Sequence, residues 1–124
     1  MLDLKNTELI LMIGPLFIAH IISISLSGYV KAWTALKVGD DTAEKLGFLT
    51  ISPLAHIDII GLICLFFFRY GWGRFIPVNP YNIKGHLKWF KLGIVYLSKL
   101  LVHLAIAFVA LFLVIALFGL STLK

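Results

Sequence analysis

The stretch Leu92–Leu120, LGIVYLSKLLVHLAIAFVALFLVIALFGL, runs for 29 residues interrupted only by Lys99 and His103. As a helix it would measure about 43 Å, longer than the roughly 30 Å hydrocarbon core of a bilayer. Such a helix either tilts steeply or carries its first third beyond the core, with Leu104 to Phe118 as its lipid-facing part. Lys99 and His103 stand one turn apart and point the same way. The whole chain agrees with this run: its 124 residues are 60% apolar and 14% charged, against roughly 45–50% and 25% in an ordinary soluble domain. Outside the apolar runs no stretch is long enough to bury a core of its own, which excludes a soluble catalytic domain on an anchor.

Working outward, Leu9 to about Val30 is a second long apolar run, with Pro15 near its start, where a membrane helix tolerates proline. Its polar residues are ordered: His20, Ser23, Ser27, Lys31 and Thr34 fall at steps of three or four and share one face. A polar stripe toward lipid is costly, so that face should look into the protein. Between the long runs, Gly39–Pro53 reads as a loop with a short extended piece, Phe48 to Ile51. The apolar run Ile57–Phe68 is short, and in Arg69–Gly85 the prolines Pro77 and Pro80 favour extended backbone. The fold class expected is thus an all-α membrane protein of about three transmembrane helices with a short loop or strand insertion. It forms one membrane domain over residues 1–124: helix 8–37, loop 38–55, short helix 56–70, extended loop 71–86 and long helix 88–120.

The net charge of +5 is scattered between the apolar runs instead of forming a basic arm, so it reads as topology and headgroup contacts and not as a nucleic-acid surface. With three crossings, Lys5, Arg69, Arg74, Lys84, Lys88 and Lys91 share the side of the N-terminus, against Lys31, Lys37, Lys45 and Lys124 opposite. That bias favours a cytoplasmic N-terminus. Trp33, Trp72 and Trp89 flank apolar runs, as indole rings at the headgroup layer do. The single cysteine, Cys64, leaves no intrachain disulfide and no cysteine-based metal site.

The loop residues carry a resemblance. GDDTAEKLGFLTISPLAHIDIIG from Gly39, followed by YGWGRFIPVNP from Tyr70, resembles the middle of the site-2 protease family of intramembrane metalloproteases, where a subgroup reads GDxTAxxxGRLTLNPLxHIDPIG and then FGWAKPVPVNP. The match covers about Ala32 to Asn82 as two gapless motifs in the same order, with Phe48, Ser52, Ile59 and Phe75 departing from the pattern. The resemblance implies a core of three helices with a loop-and-strand insertion.

In that family the preceding helix carries HExxH, two histidines for zinc and a glutamate as general base on the bound water. Counting back eight residues from Gly39 places the second histidine at Lys31, the first at Ser27 and the glutamate at Gly28, with Ala32 and Ala35 holding the register. Neither serine nor a protonated lysine is a zinc ligand, and glycine cannot be a base. The family's GPxxN segment corresponds to Leu97–His103, with no Gly-Pro and no Asn, and no acidic residue follows Asp58 to serve as the third ligand. The extended segment with Pro77, Asn79 and Pro80 resembles the strand lining the family's substrate cleft.

The expectation is therefore a non-catalytic, site-2-protease-like membrane protein with no cofactor and no metal, acting as a subunit, adaptor or stabiliser among other integral membrane proteins in the bilayer. Its alternative is a zinc metalloprotease with relocated or partner-supplied ligands. The ionisable residues near the apolar runs, Lys31, Asp58, Lys99 and His103, suggest a core polar cluster, or a small channel or transporter subunit. In that cluster Lys31 is expected to be neutralised by Asp58 or by carbonyls and hydroxyls such as that of Ser27. His56 and Asp58 do not make a metal pair, since alternate residues diverge on helix and strand alike.

Overall fold

The structure, a computed structural model, describes the backbone of residues 4–122 and the side chains of residues 6–122. Lys124 and the side chain of Lys5, which enter the topology expectation, lie outside the described residues. Among the described residues five helices follow in order: α1 Leu4–Lys37, α2 Thr42–Lys45, α3 Pro53–His56, α4 Ile59–Phe68 and α5 Lys88–Thr122.

Two of them, α1 and α5, are long and apolar enough to cross a membrane. They pack against each other, and because Lys31 meets Tyr96 while Leu16 and Ala110 line one cleft, they run antiparallel. The third apolar helix, α4, has 10 residues; at 1.5 Å per residue it is about 15 Å long, half the thickness of a bilayer core. Polar side chains in the long helices bond to their own backbone. Ser25 and Thr34 hydroxyls donate to the carbonyls of Ile21 and Val30, both at 2.7 Å, and His103 Nδ1–H donates to the Lys99 carbonyl at 2.7 Å. Local bonds of this kind let polar residues sit in apolar surroundings without a partner element.

The exit from α1 is a Schellman turn: Gly39 takes φ 107°, its N–H bonds to Leu36 and that of Asp40 to Ala35. Gly47 (φ 81°) repeats the arrangement after α2. These turns fold the next segments back on α1, which contacts both α2 and α3. A small core of Ala32, Ala43, Phe48 and Ile76 forms where they meet.

The one-turn helix α2 therefore lies within the segment read as loop 38–55, α3 overruns its end by one residue, and the helix expected over 56–70 is α4 from Ile59; α3 has its proline in the first turn, where the missing N–H costs nothing. No strand forms among the described residues, so the expected strand component of the insertion is absent. The extended backbone pairs instead through one isolated antiparallel bridge, Ile57 with Gly73, supported by Arg74 N–H on the His56 carbonyl at 2.7 Å. The prolines and short extended pieces leave too few consecutive N–H groups for a ladder.

Candidate functional site

Lys31 projects from the buried face of α1 and is 5% exposed. Its ammonium donates to the Ile76 carbonyl at 3.1 Å and lies over the rings of Tyr96 (4.5 Å to the centroid) and Phe75 (5.1 Å). An ammonium removed from water needs such acceptors and ring faces, and among the described residues no carboxylate pairs with it. One turn earlier, Ser27 is fully buried and its hydroxyl donates to the Ile24 carbonyl. Beside it Gly28 abuts the His56 imidazole so closely that a Cβ at this position would overlap the ring.

His56, 1% exposed, is a structural post. Its Nε2–H donates to the Thr50 carbonyl at 2.7 Å, which leaves Nδ1 as the lone-pair nitrogen, buried against Gly28 without a partner. Its ring tilts against Phe48 at 6.0 Å.

The second structural post is Asp40, fully buried. Its carboxylate accepts from Asn79 N–H at 2.7 Å, Asn82 Nδ2 at 2.9 Å, Thr42 N–H at 3.1 Å and the Thr42 hydroxyl. Burial alone would push the Asp40 pKa up, but the bonds from Thr42, Asn82 and Asn79 together hold it below the ordinary carboxylate value. This carboxylate ties the two loop motifs to each other and lays the Ile76–Asn79 segment across the polar face of α1. Asn79 also turns the chain, its side-chain oxygen accepting from Tyr81 N–H at 3.1 Å, while Pro77 and Pro80 are half-buried beside it. Sequence reasoning passed over Asp40 as a turn former. The available signal is an acidic residue in a loop, with Asn79 between the two prolines and Asn82 after them to meet it.

The four ionisable residues expected as one cluster do not assemble. Lys31 sits in its cradle. Asp58 is the N-cap of α4 and accepts from Gly61 N–H at 2.9 Å, not from Lys31. The unpaired N–H groups of a helix's first turn lie within reach of a capping carboxylate without any tertiary cost, and that local bond prevails. Lys99 and His103 line a cleft with His20 and Ser23, farther toward the N-terminus along the same face of α1.

The family resemblance implies zinc at positions 27 and 31, and the residues present do not fit it. Lys31 offers three N–H donors and no lone pair, the Ser27 hydroxyl is turned to its own helix, and Gly28 has no side chain and no room for one.

The chain is 44% identical over 64 residues to a Bacillus subtilis (strain 168) protein named "Putative zinc metalloprotease YwhC". The match takes in 52% of this chain and 29% of that relative, so the chain spans less than a third of its length. This partial homology supports a site-2-protease-like family. No family model matches the chain, and no solved structure matches it.

Proposed function

We propose that this chain is a multi-pass, site-2-protease-like integral membrane protein in which the catalytic position has become an ammonium cradle. Its role is that of a non-catalytic subunit, adaptor or stabiliser of other integral membrane proteins. One observation carries the proposal. Lys31 and Phe75, two positions where the sequence departs from the family pattern, touch each other, with Tyr96 and the Ile76 carbonyl completing the enclosure. A cation that replaces a metal-binding histidine, together with an aromatic face that replaces a proline above it, is a matched pair of changes. The apolar surface supports the membrane placement: Phe108 and Phe112 on α5 are each 71% exposed, as is Ile59 on α4, and soluble monomers rarely leave such contiguous surfaces bare.

The partial homology favours a second reading, a metalloprotease whose ligands are relocated or supplied by a partner. Recovery from the native membrane in mild detergent, followed by incubation with a single-helix membrane reporter and zinc, separates the two. The adaptor reading expects the chain to co-purify with other integral membrane proteins and to leave the reporter uncut. A partner-free monodisperse monomer, or zinc-dependent cleavage of the reporter, would overturn it.

A further inference from the structure

Away from the Lys31 cradle, a cleft of ≈ 490 Å³ lies between α1, α5 and the turn that follows α4. Four basic side chains line it, His20 from α1, Arg69 from the end of α4, and Lys99 and His103 from α5, and among the described residues no carboxylate does. Their hydrogen bonding is incomplete. His103 spends its Nδ1–H on the Lys99 carbonyl, so its Nε2 donates to an anion only from the protonated ring, while His20 Nε2 is buried with no partner. Arg69 takes φ 57° as the C-cap of α4, a left-handed position where glycine is the usual residue, so a long charged side chain stands where the backbone favours none.

Because α1 and α5 are antiparallel, the cleft is graded along its length. Lys99 and His103 lie opposite Ser23 and His20, whereas Ala107 and Ala110 lie opposite Leu16. One end is cationic and the other aliphatic. A free anion would satisfy only the first end. An acidic phospholipid satisfies both ends: its phosphate meets the basic groups and an acyl chain follows the aliphatic wall.

We propose that this cleft is a binding site for an anionic phospholipid, recognised through its headgroup phosphate. The site rests on the membrane placement proposed above. Basic pockets between membrane helices are suited to such headgroups, each lysine or arginine near the membrane surface favouring the acidic lipid about fivefold.

Trp72 lines the cleft and reports on it once Trp33 and Trp89 are replaced by phenylalanine. The full chain is reconstituted in phosphatidylcholine vesicles containing either brominated-chain phosphatidylglycerol or brominated-chain phosphatidylcholine, and quenching of Trp72 is compared. The expected result is selective quenching by the phosphatidylglycerol. That selectivity should fall about fivefold in Lys99→Gln, fall also in His103→Gln, and persist in Lys88→Gln, which removes a charge outside the cleft. Helix content by circular dichroism checks each variant, and His103→Gln carries the test if Lys99→Gln does not fold. Equal quenching by the two lipids, or equal loss in Lys88→Gln, would overturn the site. Relief of quenching by inorganic phosphate would assign it to a free anion, and relief by a glutamate-bearing hydrophobic peptide to a partner helix; either overturns the lipid. A chain that alkaline carbonate strips from plain phosphatidylcholine vesicles overturns the membrane placement and the lipid site with it, whereas an inserted but unselective chain overturns the lipid site alone.

Discussion

The two ends of α1 are stabilised by different physics. Its C-terminal third is enclosed by α2, α3 and the 73–83 segment, where Asp40 and Lys31 each hold a backbone group far away in sequence and His56 holds the Thr50 carbonyl of its own loop. Its N-terminal half and the C-terminal half of α5 carry large apolar side chains that touch little protein, such as Leu11 and Phe112. The first region owes its shape to a few directed bonds that an error cannot spare. The second needs only an unbroken helix and an apolar environment.

Asp40→Ala should produce the largest loss, because it leaves the Asn79 and Thr42 N–H groups without their acceptor and the Asn82 amide with only its 3.1 Å bond to the Thr42 hydroxyl. At about 1–3 kcal/mol per buried group left unpaired, a loss above about 3 kcal/mol is expected in denaturant unfolding in detergent. The same carboxylate predicts the acid response. Its folded pKa lies below the ordinary value, so its stabilisation is complete above about pH 4 and fades as pH falls through the folded value. Asp40→Asn should lack this acid-dependent part of the unfolding curve, and an unchanged pH profile would remove Asp40 from the account.

Gly28→Ala comes next. The added methyl meets the His56 ring, and overpacking of this kind costs about 1–3 kcal/mol. Combining it with His56→Ala should recover part of the loss, and strict additivity would mean the two do not touch.

A double-mutant cycle sharpens the description of the cradle. Lys31→Met with Phe75→Leu should couple by about 0.5–2 kcal/mol, whereas Lys31→Met with Asp58→Asn should be additive. Coupling of the second pair in place of the first would restore the ion pair expected from the sequence. The smallest effect belongs to the bare region: Phe112→Leu should shift stability by no more than about 0.5 kcal/mol, and a larger loss would mean that α5 packs against another protein surface there.

This contrast also explains what the sequence disclosed. The long helices were legible because hydropathy over twenty or more residues is a one-dimensional property, and the turns at Gly39 and Gly47 were legible because glycine serves positive φ. The bonds from Asp40 to Asn79 and Asn82 span 39 and 42 residues and close only when the chain folds. Lys31 was recognised as a misplaced cation, but its partners are a backbone carbonyl, which no letter of the sequence marks, and two ring faces. As a carboxylate in an apolar run, Asp58 reads as a counter-ion for Lys31. Its cap on α4 is a three-residue local bond that the pattern Asp-Ile-Ile-Gly permits.

The central claim is that an ammonium, not a metal, occupies the position where the family pattern puts its catalytic charge. Metal analysis of the chain purified from zinc-supplemented cells tests this most directly. The account predicts no stoichiometric zinc in the native sequence. About one zinc per chain, removed by a chelator together with folding or activity, would contradict it.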